Sequence, residues 1–230
     1  AASGEDVESF AMHAYWLLWS GQPERAVDLC RRMLPQRRNA NAHGQYGFAL
    51  LTLGLYGEGW RQYEFRWFQE PLRSRRVALG RPVWAGQDLA GKTLLLRAEQ
   101  GAGDTIQFAR FAATFKAMGA RVILQAQPEL QKLGAGFRGV DQVAPLADPP
   151  PAFDFYVRTM SAPAALGLEL DRVPAAVPYL TVDAALCRRW AERVDAEAMN
   201  VGLVWAGNPT HIRDRHRSLP LADLAGLWRI

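Results

Sequence analysis

One carboxylate and one basic cluster have residue types and settings that could carry chemistry. The carboxylate is Asp104, in the run Glu99-Gln100-Gly101-Ala102-Gly103-Asp104-Thr105-Ile106-Gln107. It follows the apolar run 94–96 and a turn bearing Gly101 and Gly103, and it stands just before a stretch that reads as a helix from Thr105. Glycine at both turn positions permits a tight bend and close approach of another molecule to the backbone. Free N–H groups opening a helix favour an anion or a hydroxyl-bearing ligand. Strand ends of this kind are where open α/β sheets bind ligands. A carboxylate there can take a proton from a hydroxyl. Aspartate is equally a preferred helix cap, a contribution of about 1 kcal/mol. The Gly-x-Gly-Asp pattern lacks the third glycine and the later acidic residue of a dinucleotide site, so no nicotinamide or flavin cofactor is expected.

The basic cluster is Arg213, Arg215, His216 and Arg217, with Asn208 upstream. Guanidinium forks match phosphate oxygens, so this stretch could hold a diphosphate; a solvated surface loop is the alternative. His211 and His216 lack cysteines or paired carboxylates nearby and no Asp-x-Asp donor motif occurs, so no metal is expected. His13 and His43 fall in helical stretches and read as packing residues. Cys30 and Cys187 fall in different expected domains, a usage that suits a reducing compartment, and both read as small buried residues.

The elements that must position these groups change character along the chain. Within 1–70, Gly21 aligns with Gly54, Pro23 with Tyr56, Arg25 with Glu58 and Ala26 with Gly59, each pair offset by 33 residues. That is close to the tetratricopeptide period of about 34. Ala14 with Gly47, and Ala26 with Gly59, supply small residues where paired helices must approach. Trp60, Tyr63 and Trp67 share one helix face and read as packing against the next domain rather than as a ligand platform. Residues 71–92 read as a linker, with Arg73, Arg75 and Arg76 solvated.

From Thr93 the period switches to β. Thr93–Ala98 and Arg121–Ala126 flank an amphipathic segment, Thr105–Met118, stopped by Gly119, a βαβ unit that implies parallel strands. A short helix at 128–133, strands at 141–145 and 153–158, a short helix at 161–167 and an edge strand at 178–182 follow. A long helix over 184–198 leads to a buried strand at 201–205. The domains expected are therefore 1–70, 71–92, 93–198 and 199–230, the last the start of a second α/β domain that is cut short.

With 49% hydrophobic and 22% charged residues and a net charge of +4, the composition is that of an ordinary globular protein. No apolar run approaches the roughly 20 residues that span a bilayer, and no opening segment reads as a signal peptide. The expected location is the cytoplasm, at most peripheral to the inner membrane. The mild positive charge comes without a nucleic-acid recognition motif, so no nucleic-acid partner is expected.

The helical repeats, Gly59-Trp60 with Arg66-Trp67, the run 99–110, Val201-Gly-Leu-Val-Trp-Ala-Gly-Asn208 and Asp214-Arg-His-Arg-Ser-Leu-Pro220 together resemble bacterial tetratricopeptide proteins that carry a glycosyltransferase domain. The transferase part is similar to the lipopolysaccharide heptosyltransferase family, which has two Rossmann-like halves in the GT-B arrangement. The resemblance implies an α+α/β chain: tetratricopeptide-like hairpins, then the acceptor-side half of a GT-B fold, with the donor-side half truncated. It implies an inverting glycosyltransferase in which Asp104 is the general base. Gln100, Gly101, Gly103 and Gln107 would form the acceptor loop, and Asn208, Arg213, His216 and Arg217 would meet the donor phosphates. The sequence has Arg-Ser-Leu-Pro where heptosyltransferases favour Lys-x-Trp-Pro. The nucleotide sugar is a substrate, so no cofactor is implied. The implied partners are that donor, a saccharide or protein acceptor, and a protein held by the repeats. The 230-residue chain alone is expected to be inactive. A non-catalytic protein-binding scaffold with a degenerate α/β domain is the alternative.

Overall fold

The computed structural model of the chain describes residues 5–35, 39–74, 76–209 and 214–229. They divide into two compact units, 1–182 and 183–230. The first opens with four helices, α1 (Glu5–Trp19), α2 (Pro23–Met33), α3 (Ala40–Thr52) and α4 (Tyr56–Tyr63). Gly21 and Gly54 take positive φ, +75° and +76°, which lets the chain turn sharply after α1 and α3. Pro23 opens α2, where its missing N–H is no loss, and Asn39 caps α3 by accepting from the Ala42 N–H at 3.0 Å. Phe10, Ala14, Leu17, Ala26, Val27, Cys30, Tyr46 and Leu50 form the helical core. Ala14 and Ala26 are fully buried, as their place in the pattern requires. At Gly47 the fit is tighter: a Cβ there would lie 2.9 Å from the Tyr63 backbone nitrogen.

A 3₁₀ turn, Glu64–Phe68, continues α4. Tyr63 and Trp67 are buried and Trp60 is half-buried, edge-to-face on Phe108 at 5.6 Å between centroids. The aromatic face therefore joins the helices to the α/β part, as its spacing predicts.

The α/β part runs β1 (Thr93–Arg97), α5 (Ala102–Phe108), α6 (Phe111–Ala117), β2 (Arg121–Ala126), α7 (Gln131–Gly134), β3 (Gln142–Pro145), β4 (Phe155–Arg158) and α8 (Ala162–Ala165). The four strands form one parallel sheet in the order β3-β2-β1-β4. On one face, Leu94, Leu96, Val122, Leu124 and Val157 pack with Phe108, Phe111 and Phe115 of α5 and α6. On the other, Leu95, Ile123, Ala144 and Phe153 form a small core with Leu79 and Tyr156.

Three expectations change here. The single helix over 105–118 is two helices, and the first begins earlier, because Gly101 adopts the extended conformation of an N-cap and its carbonyl accepts from the Thr105 N–H at 3.1 Å. No glycine or proline marks the break after Phe108. The edge strand at 178–182 is a single antiparallel bridge, Phe137 to Leu180, in a segment where Pro174 and Pro178 supply no donors.

The second unit opens with α9 (Ala184–Ala191), capped by Asp183, which accepts from the Ala185 and Leu186 N–H groups at 2.7 and 2.9 Å. The helix stops well short of the expected 198. The buried strand expected at 201–205 is absent: Val204 is 95% exposed and no strand pairs with it among the described residues. An apolar run becomes a strand only where a neighbour takes up its backbone groups. A 3₁₀ turn at Asp214–His216 and a longer one at Leu221–Arg229 complete this unit. Among the described residues no helix is long and apolar enough to cross a membrane.

Candidate functional site

The sheet places the chemistry at the carboxyl ends of its strands. From β1 the chain moves through β2 to β3 on one side, while β4 returns to the other side of β1. The crevice between the ends of β1 and β4 is thus the point where strand order reverses, the usual ligand position in open α/β sheets. Here it is filled by the protein's own Arg66. That side chain is 4% exposed and its partner Glu99, just past β1, is 1% exposed. Arg66 Nη2 donates to Glu99 Oε1 at 2.8 Å and to Ser161 Oγ at 2.7 Å. Nη1 reaches Glu64 and the Tyr63 carbonyl. The Met160 N–H donates to the same Glu99 oxygen at 3.1 Å, and Ser161 Oγ donates to Glu64 Oε2 at 3.0 Å. The guanidinium lies over the Tyr63 and Trp67 rings at 4.5 and 4.9 Å, within cation–π range. Burial pushes the Glu99 carboxyl above the ordinary range, with Arg66 opposing it. Burial also works against the Arg66 charge, but Glu99 and Glu64 outweigh it and hold the guanidinium charged.

Asp104 lies beside this plug. It is not the residue before the helix but the third residue of α5, and it reaches back so that Oδ2 accepts from the Gly101 N–H at 2.9 Å. Among the described residues that is its sole hydrogen bond, and the side chain is half-exposed. Around it, Gly103 faces open space and Gln107 is exposed. Gln100 is braced instead: Nε2 donates to Tyr63 Oη at 3.1 Å, and its carbonyl accepts from Gln127 Nε2 at 2.8 Å. Thr105 Oγ1 donates in turn to Gln127 Oε1 at 3.0 Å. Gln100, Gly101, Gly103, Asp104 and Gln107 are therefore brought onto one turn and its helix.

The proposed phosphate ligands belong to the other compact unit. Arg217 Nε donates to Asp214 Oδ1 at 3.4 Å, and its guanidinium sits so close to Gly207 that a Cβ there would meet it at 2.7 Å. Ser218 Oγ links the Gly207 N–H to Asp214, with both bonds at 2.8 Å. Arg215 Nε donates to His216 Nε2 at 3.1 Å, and Asn208 is exposed. Arg213 lies outside the described residues.

The residues that sequence reasoning did not single out are the buried ones. Arg66 and Glu99 appeared in the motifs without a role, and Ser161 and Arg158 without notice. The one local signal was a charged residue immediately after an apolar strand.

No family model and no solved structure matches the chain. Among curated proteins it is similar to Protein FlbA of Caulobacter vibrioides, at 27% identity over 180 residues. The match covers 68% of this chain and 30% of FlbA, so the chain spans less than a third of that relative's length.

Proposed function

We propose that the chain is the acceptor-side part of an inverting glycosyltransferase of the GT-B type that uses a nucleotide-sugar donor and a saccharide or protein acceptor. In this reading the helices are tetratricopeptide-like, serve protein interaction, and are fixed to a Rossmann-like sheet. The observation that carries it is the half-exposed Asp104 carboxylate at the carboxyl end of β1, with one oxygen uncommitted and open space beside Gly103. A base for an acceptor hydroxyl must sit where a substrate can reach it. Arg217 and His216 would supply positive charge at the departing diphosphate. The test is nucleoside diphosphate release by the whole protein from a panel of nucleotide sugars. Asp104→Asn keeps an acceptor for the Gly101 N–H but is not a base, so turnover should fall roughly 10²–10⁴-fold. Full turnover in Asp104→Asn, with only a stability loss in Asp104→Ala, would reduce the residue to a helix-start acceptor.

One observation favours the scaffold alternative. The crevice that open α/β sheets use for ligands is filled by Arg66. A whole protein that releases no diphosphate and shows no thermal shift with any nucleotide sugar supports that reading.

A further inference from the structure

A second cleft opens on the sheet face that α5 and α6 leave uncovered. Its volume is about 150 Å³, and Glu64, Trp67, Arg76, Tyr156, Arg158 and Ser161 line it. Arg97 and Arg158 are register partners at the ends of β1 and β4. Paired residues on adjacent strands share a face, and these two lie two positions past Leu95 and Tyr156, which belong to the core of that uncovered face. Two arginines thus leave that face from neighbouring positions, both partly buried, with Arg97 reaching toward Gln125 on β2 and Arg158 toward Trp67.

Like charges directly opposite one another on a sheet destabilise it, and burial adds to the cost. Among the described residues neither Arg97, Arg158 nor Arg76 makes an ion pair. Arg97 donates to Gln125 and to the Leu146 carbonyl, and Arg158 to the Val77 carbonyl at 3.4 Å. The one carboxylate lining the cleft, Glu64, is committed to Arg66 and Ser161. Glu99 lies close to Arg158 but is bound to Arg66. Burial, and then the neighbouring Arg158, disfavours the charge on Arg97; on Arg158 burial disfavours it, Glu99 and Tyr156 oppose that, and Arg66 and Arg76 add to it. The Trp67 ring lies against Arg158 at 5.1 Å and fixes one side of the guanidinium, leaving its donor edge for another group.

We infer that this cleft binds a small oxyanion group, a carboxylate or a phosphoryl group, gripped by Arg158 and Arg76 against Trp67 and Tyr156. Guanidinium forks suit both chemistries. The volume is below the roughly 300–1,000 Å³ of pockets for drug-sized ligands, so the group is a single small ion or the charged end of a larger molecule. The site is independent of Asp104 and of any reading of its chemistry.

Calorimetric titration of the 230-residue chain at low salt with inorganic phosphate and, separately, with glucuronate tests this. One-to-one binding with a Kd of about 1 mM or tighter is expected for at least one probe; the probe that binds identifies the phosphoryl or carboxylate source. Arg76→Gln, at an exposed position, should weaken that binding about tenfold with an unchanged thermal midpoint, and Arg158→Gln should abolish it. Arg158→Lys, which keeps the charge and loses the fork, should fall between. Absence of binding by both probes, or binding unchanged in Arg76→Gln and in a folded Arg158→Gln, overturns the inference.

Discussion

Glu99 combines near-complete burial with two donors on a single oxygen. Because burial is the leading influence on its carboxyl, a neutral acceptor should serve Arg66 and the Met160 N–H about as well as a charged one. Glu99→Gln is therefore expected to be tolerated. Glu99→Leu leaves the buried Arg66 with Glu64 as its remaining carboxylate and the Met160 N–H without its acceptor, and should cost about 1–3 kcal/mol of unfolding free energy. The raised carboxyl also sets a pH dependence. The folded state holds the Glu99 proton to higher pH than the unfolded chain does, so the stability linked to it is full below the ordinary carboxyl range. It is lost as pH rises from about 4 toward the raised value. Urea midpoints of the wild type should fall relative to Glu99→Gln across that window, and parallel curves would show that the carboxyl titrates normally. The thiols give a simpler contrast. Burial pushes Cys30 up to about 12, while Cys187 is exposed. A thiol reagent near neutral pH should modify one cysteine in the native chain and two after denaturation.

At the scale of elements, the helices reach the crevice through one close crossing. The tight approach of Gly47 to α4 means that Gly47→Ala must push α4, and with it the turn carrying Arg66, away from α3. Alanine's better helix propensity is worth about 1 kcal/mol. Overpacking against backbone typically costs about 1–3 kcal/mol, so a net loss is expected from denaturant unfolding. A gain would mean that the crossing yields. The same elements show what the sequence could reveal. Thr93–Arg97 and Arg121–Ala126 were legible because their apolar runs carry a strand signal that the neighbouring strand then satisfies. Val201–Trp205 carries a similar run and is not a strand, since pairing depends on a partner and not on the run itself. Asp104 was legible as a helix-start residue but misplaced within the start, because the conformation of Gly101 decides where α5 begins. Of the crevice plug, only the charged residue after an apolar strand was legible, and its pairing was not. Arg66 and Glu99 lie 33 residues apart, and no local period links a 3₁₀ turn in the helical segment to a strand end.

At the scale of the whole molecule, burial is distributed unequally. Every buried residue among those described lies in the first unit, and none between 183 and 227 is buried. In the second unit Trp190, Met199, Val201 and Val204 are all exposed, at 56%, 91%, 69% and 95%. Local opening is cheapest where few apolar contacts must break, so 183–230 should open far more often than the remainder. It also carries a high density of trypsin sites, among them Arg188, Arg189, Arg193, Arg215 and Arg217. Brief trypsin treatment of the 230-residue chain should therefore remove this segment first and leave a fragment close to 1–182. That fragment should keep the thermal midpoint of the intact chain, because its core and the Arg66–Glu99 plug lie wholly within it. Equal protection of both parts, or a midpoint that collapses on trimming, would show that the second unit contributes stability that its burial does not reveal. The first outcome also separates the candidate chemistry physically, with Asp104 on the resistant fragment and Arg217 on the released one, so each can be titrated with its own ligand.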